Sequence, residues 1–220
     1  AHLMACKMKQ VNPSLYWVAD YRDLWSDNPN LAGAPKTLRN KIRKKELATV
    51  GLYADSLTAI SDDMVLKLSE LIKKPVKKIT NGFDIDEELV RKRFQQSVKK
   101  PDGIFRIVYT GSIYQNTRDP IPLLQALVSL VEKGELSPNS ITVDFYGARL
   151  DYIMELSLKP KYSPFIRIMG HVSREKTLEI QRNAGLLLLL ENSNEVSRGV
   201  ITGKIFEYIA AGRPIICVGS

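Results

Sequence analysis

The stretch Gly199-Val200-Ile201-Thr202-Gly203-Lys204-Ile205-Phe206-Glu207-Tyr208-Ile209-Ala210-Ala211-Gly212-Arg213-Pro214-Ile215-Ile216 orders its residue types like a ligand-facing helix. Two glycines and Thr202 precede an apolar-periodic run, Gly212 ends it, and Pro214 prevents its continuation. A helix start offers unpaired amides and the positive end of the helix dipole, a natural seat for a diphosphate. Lys204 in the first turn adds a full positive charge, and Glu207, three residues on, shares its face. A carboxylate beside phosphates would repel them, so the fitting partner of Glu207 is a pair of ribose hydroxyls. The alternative is a surface Lys–Glu pair with no ligand at all.

Other residues could serve the same chemistry from strand ends. Gly111 in Tyr109-Thr110-Gly111-Ser112 follows an apolar run, where a missing side chain admits a ligand to the backbone, and Phe145-Tyr146-Gly147 and Met169-Gly170-His171-Val172 end the next strands. His171 reads as a structural residue or pocket wall rather than a catalytic group. Near the start, Trp17-Val18-Ala19-Asp20-Tyr21-Arg22-Asp23-Leu24-Trp25 places Asp20, Arg22 and Asp23 together; either they face a substrate or an Arg–Asp pair holds the loop. Asn81-Gly82 is a tight turn.

The net charge of +8 is concentrated early, with 19 basic against 12 acidic residues up to residue 100 and 13 against 12 beyond. Its densest segment, Arg39-Asn40-Lys41-Ile42-Arg43-Lys44-Lys45, reads as a solvated helix face or a contact for phosphates and anionic lipid. No nucleic-acid signature accompanies it, so nucleic acid is not an expected partner. The two cysteines, Cys6 and Cys217, lie far apart and the two histidines form no cluster, which argues for reduced thiols and against a zinc site. Neither a membrane-spanning apolar run nor a secretory leader is visible, so a cytoplasmic location is expected.

Short apolar segments must carry these loops. Strands are expected at Leu15–Ala19, Leu57–Ile60, Val76–Ile79, Arg106–Thr110, Thr142–Tyr146, Ile166–Met169, Gly185–Leu190 and Pro214–Val218. Helices are expected at Thr37–Tyr53, Asp62–Ile72, Asp86–Gln96, Asp119–Lys133, Ser173–Asn183 and Gly203–Ala211, after a helix-like opening. Leu123, Leu124, Leu127, Leu130 and Val131 fall on one helical stripe, closed by Gly134. Such alternation predicts α/β architecture with doubly wound parallel sheets, whose ligands sit at the strands' carboxyl ends. The polar turn Lys99-Lys100-Pro101-Asp102-Gly103 separates two domains, and the chain looks cut at both ends.

The segment from Lys204 to Ile215 resembles the nucleotide-sugar motif of retaining glycosyltransferases of family 4, in which a helix Lys-(Ile/Leu)-Phe-Glu-Tyr-(Ile/Leu)-Ala-Ala-Gly-(Arg/Leu)-Pro-Ile borders the donor. Ala54–Ser61 is similar to the last full strand of that family's acceptor domain, and Asn81-Gly82-Phe83-Asp84 to its signature near the interdomain crossing. Asp20-Tyr21-Arg22-Asp23-Leu24-Trp25 resembles an acceptor-side segment of bacterial members that build surface polysaccharides. Two departures stand out. Where many members carry a second glutamate, eight positions before Glu207, this chain has Gly199, and neither Glu195 nor Glu191 is in register. Of the usual phosphate-gripping pair after the first donor-domain strand, only Arg118 is near.

The resemblance implies a GT-B fold of Rossmann-like domains, with residues 1–84 as part of the N-terminal acceptor domain, 85–103 as linker and interdomain helix, and 104–220 as most of the donor domain. It implies a hexosyltransferase type of enzyme that moves a sugar from a nucleoside diphosphate sugar to a hydroxyl with retention, in polysaccharide or glycolipid synthesis. Donor contacts would come from Gly111, Ser112, Arg118, Gly147, His171, Val172, Gly203, Lys204 and Glu207. Asp20, Arg22 and Asp23 would serve a glycan or lipid-linked acceptor. No metal and no cofactor beyond the donor are expected, and the basic helix would rest on the inner face of an anionic membrane as a peripheral contact. The alternatives are a sugar-nucleotide 2-epimerase of the same fold and a noncatalytic nucleotide-binding fragment.

Overall fold

The computed structural model describes residues 1–26, 34–82, 86–95, 103–113, 118–191 and 202–219, which fall into two compact units. The first spans residues 1–82, and the second holds the described residues from 86 onward.

In the first unit, helix α1 (His2–Val11) leads to strand β1 (Val18–Tyr21), then α2 (Lys36–Glu46), β2 (Ser56–Ala59), α3 (Asp62–Ile72) and β3 (Val76–Lys78). The strands form a parallel sheet in the order β1-β2-β3, with Ala19 opposite Leu57 and Leu57 opposite Val76. One core collects Ala19, Tyr21, Val50, Leu57, Met64 and Leu68. Helix α3 starts where the Ser61 hydroxyl accepts the Met64 amide and ends at Lys73 in the left-handed region.

Two expectations needed correction here. The first strand begins at Val18, not Leu15, because Asn12 caps a turn through Ser14 and the Leu15 amide closes it on the Asn12 carbonyl. Ala19 and Tyr21 then point inward while Leu15 and Tyr16 stay exposed. The helix expected over Thr37–Tyr53 changes pitch: after α2, residues Leu47–Gly51 form a π-helical turn, and the Thr49 hydroxyl donates to the Lys45 carbonyl. Glu46, at the end of the basic run, is fully buried and accepts the Ser26 amide.

The second unit holds α4 (Glu87–Gln95), β4 (Phe105–Thr110), α5 (Ile121–Glu132), β5 (Ile141–Tyr146), α6 (Asp151–Ser157), β6 (Ile166–Gly170), α7 (Arg174–Asn183), β7 (Leu186–Leu190), α8 (Lys204–Ala211) and β8 (Ile215–Val218). Its parallel five-stranded sheet runs β6-β5-β4-β7-β8. Alternate residues of the central strands feed opposite layers. Ile107, Tyr109, Leu188 and Leu190 pack under α5 and α6, whereas Val108, Leu187 and Leu189 pack under α7 and α8. This is the doubly wound sheet expected from sequence. Among the described residues, the α-helix not expected from sequence is α6; its short span leaves a weak periodic signal, yet Ile153 and Leu156 are fully buried.

The chain leaves β4 toward β5 and later returns to β7 on the other side of β4. That reversal is a topological switch point, where the loops beyond neighbouring strand ends diverge and open a crevice.

Candidate functional site

The crevice at this switch point is a cleft of about 350 Å³, lined by Thr110, Gly111, Ser112, Tyr146, Gly147, Ala148, His171, Val172, Thr177, Lys204 and Glu207. The ends of β4, β5 and β6 and the start of α7 and α8 all reach it. Seven of the nine sequence-derived donor residues (Gly111, Ser112, Gly147, His171, Val172, Lys204, Glu207) therefore meet at one place. Gly203 is the N-cap of α8, exposed and without a side-chain cap bond, so the amides of that turn are not closed off by a side chain. Arg118 does not line the cleft; its guanidinium donates to the Ser112 carbonyl at 3.3 Å just behind it. Gly199 and Glu195 lie outside the described residues, as do Phe83 and Asp84.

The glycines are where backbones crowd. The Gly111 amide donates to the Tyr146 carbonyl at 2.7 Å and the Gly147 amide to the Gly170 carbonyl at 2.9 Å. A Cβ on Gly147 would overlap the Gly111 carbonyl, and Gly111 itself has φ +125, which L side chains rarely adopt. A Cβ on Gly111 would also come within 2.5 Å of the Lys204 Nζ.

Lys204 is the electrostatic centre. Its ammonium donates to the Tyr109 phenol at 2.7 Å and lies 4.2 Å from the centroid of that ring. Burial, followed by the charge of Arg118, pushes its pKa down to about 7, against the opposing pull of Glu191 and Glu207. Glu191, at the end of β7, has its carboxyl pushed up by burial while Arg118 and Lys204 pull it down. It borders a second cavity of about 470 Å³ with Asp119, Cys217 and Gly219.

Glu207 points into the cleft from the next turn of α8, and its carboxylate pairs with Arg174 at 3.1 Å. The Arg174 side chain is 78% exposed, so this pair is weakly held and replaceable by ligand hydroxyls. The helix behind is fixed by Tyr208, fully buried, whose phenol accepts the Thr110 amide and donates to the Leu188 carbonyl, both at 3.2 Å. Gln181, equally buried, donates to the Thr110 hydroxyl at 3.0 Å.

In the first unit, Asp20 and Arg22 pair at 2.6 Å, and the Arg22 guanidinium also donates to the Asn81 side chain. Thr58 donates to the other Asp20 oxygen at 2.6 Å. Burial alone would raise the Asp20 pKa, but the bonds from Thr58 and Arg22 outweigh it and lower the carboxyl below its usual range. Two motifs separate in sequence thus meet at the strand ends. The pair is not buried, since its side chains are 48% and 40% exposed. Asp23 is exposed and makes no such bond among the described residues.

Sequence reasoning missed Tyr109, Thr110, Tyr146, Ala148, Thr177 and Arg174. Thr110, Tyr146 and Ala148 adjoin Gly111 or Gly147, and Tyr109 lies two residues before Gly111; nothing in the sequence marks Thr177 or Arg174. Among the described residues, no group of three or more His, Cys, Asp and Glu converges as metal ligands would, and no helix is long and apolar enough to cross a membrane.

No protein-family model and no curated protein sequence matches this chain. Solved structures do. The chain is similar to sucrose-phosphate synthase from Thermosynechococcus elongatus (14% identity, 94% of this chain and 52% of that one, TM-score 0.61). It is similar to a UDP-forming α,α-trehalose-phosphate synthase from Burkholderia xenovorans in complex with glucose-6-phosphate (11% identity, 96% and 55%, TM-score 0.61). It also matches the pneumococcal O-GlcNAc transferase GtfA in complex with UDP and GlcNAc (16% identity, 81% and 32%, TM-score 0.51). The fold is that of GT-B glycosyltransferases. The chain spans about a third to just over half the length of these structures.

Proposed function

We propose that the cleft binds a nucleoside diphosphate sugar and that the protein is a retaining glycosyltransferase of the family 4 type. The observation that carries this reading is the placing of Lys204 and Glu207 at the switch-point cleft, beside an α8 N-terminus without a side-chain cap. The diphosphate would meet the α8 amides and Lys204, with Arg118 adding charge from behind the Ser112 carbonyl. Glu207 would exchange Arg174 for ribose hydroxyls, and His171, Val172 and Gly147 would border the base. In the reaction the acceptor hydroxyl oxygen bonds to the anomeric carbon as the bond to the β-phosphate oxygen breaks. The departing phosphate takes the hydroxyl proton on the same face, which retains configuration. Lys204 and Arg118 would stabilise the leaving charge, so the reading calls for no metal and no cofactor besides the donor.

The fold of UDP-binding neighbours supports a donor of this class. The likeness of Asp20 to Trp25 to surface-polysaccharide enzymes supports a hexosyl transfer to a glycan or lipid-linked acceptor, with Asp20, Arg22 and Asp23 as acceptor contacts. On this reading residues 1–84 are acceptor-domain sequence, 104–220 the donor domain, and the protein works in the cytoplasm with the basic α2 on the membrane's inner face. Calorimetry with UDP-, GDP- and ADP-sugars tests the site: Glu207→Ala should weaken binding about tenfold or more, as expected when bonds to a charged acceptor are lost. Unchanged affinity would remove the ribose assignment.

A further inference from the structure

We infer that Tyr109 is a positioning residue whose phenol holds the Lys204 ammonium in place at the cleft beside Gly111. This rests on the reading of the cleft as a diphosphate site and extends it to a side chain that touches no substrate, because Tyr109 is fully buried. The ring rises from β4 and packs against Phe145 with centroids 6.0 Å apart. Its hydroxyl donates to the Ser112 carbonyl at 2.9 Å. A phenol has one proton, so with that proton committed its oxygen can only accept from Lys204, at 2.7 Å.

The polarity of the relay is therefore fixed: ammonium to phenol to loop carbonyl. Arg118 donates to the same Ser112 carbonyl at 3.3 Å. One peptide oxygen thus indexes both cations, Lys204 through Tyr109 and Arg118 directly. A lysine left to itself spreads over many rotamers, and fixing it before the ligand arrives lowers the ordering cost of binding. The groups whose charge or hydrogen bonds act on this ammonium are Tyr109 from β4, Arg118 from the loop after it, Glu191 from the end of β7 and Glu207 from α8. Of these only Tyr109 makes a hydrogen bond to it among the described residues. The absence of a side chain at Gly111 leaves the space that the ammonium occupies.

The experiment is a double-mutant cycle on the full chain. UDP, GDP and ADP are each titrated calorimetrically into the wild type, Tyr109→Phe, Lys204→Met and the double variant. Phenylalanine keeps the ring and its packing and removes only the oxygen. For the nucleotide that binds, Tyr109→Phe should weaken affinity about tenfold, the effect of one bond to a charged group, and should change nothing when Lys204 is already Met. Equal losses in both backgrounds, or no loss at all, would overturn the inference. Lys204→Arg gives a second arm: equal charge in the wrong shape should also lose affinity, and wild-type affinity would overturn the relay. Wild-type protein that binds none of the three nucleotides would instead overturn the diphosphate reading, and the inference with it.

Discussion

If a diphosphate seats against Lys204, its binding should draw a proton onto this side chain over a defined pH window. The free side chain has its pKa lowered from the ordinary 10.5 to about 7, by burial first and by Arg118 second. An anion in the cleft favours the ammonium and raises that value again. Below pH 7 the amine is already charged, and binding should take up little. Half-titration at about pH 7 implies uptake of about 0.5 proton there, rising to about 0.9 one unit higher. Observed affinity should correspondingly fall by up to about tenfold per pH unit above 7, until the pKa of the bound state is reached. Stability of the free protein moves the other way. The unfolded chain keeps its proton to higher pH than the folded one, so this residue makes the fold more stable as pH rises from about 7 toward 10.5. The assay is calorimetry in two buffers of different ionisation heat, repeated above and below neutrality. Lys204→Met should abolish the uptake, while His171→Asn, which alters another residue of the same cleft, should keep it. Uptake that survives in Lys204→Met, or that is absent on the alkaline side of 7, would refute the reasoning.

Gly147→Ala should be among the most damaging small substitutions in the second unit, because the new methyl would overlap the Gly111 backbone, which cannot swing away as a side chain can. Overpacking of this kind costs about 1–3 kcal/mol, read as a lower melting temperature, together with lost nucleotide binding; a wild-type melt would show the close approach to be wrong. For α2, co-sedimentation with vesicles should require anionic lipid and fall when Arg43, Lys44 and Lys45 are changed to Gln, since each basic residue near such a surface contributes about 1 kcal/mol. Binding indifferent to lipid charge would exclude the membrane contact.

Most of the sheet was legible because parallel strands buried on both faces leave apolar runs such as Leu186–Leu190, which little else explains. The misplaced first strand shows the limit of that rule. Leu15 and Tyr16 are apolar but exposed, and the decision fell to Asn12, whose side chain closes the turn ahead of them. The π-helical turn at Leu47–Gly51 was invisible for a similar reason, since hydroxyl back-bonding from Thr49 is a local choice that periodicity does not record. In the site, glycines and the Lys204/Glu207 spacing were readable because each answers a local demand, for backbone approach or for one helix face. The Asp20–Arg22–Asn81 grouping needed the sheet, which sets the β1 and β3 ends side by side around β2.

Tyr109 illustrates the part that no local pattern could reveal. In sequence it is one more apolar residue of an alternating strand, and its burial against Phe145 satisfies that description completely. Its partner on α8 lies 95 residues away. The two meet only because the chain reverses its winding at β4, so that the strand leaving in one direction and the helix arriving from the other share an edge. The same reversal that opens the cleft thus delivers the cation to its support. A perturbation that moved α8 relative to β4, through loss of the Tyr208 bonds to Thr110 and Leu188, would separate Lys204 from Tyr109 without touching either residue.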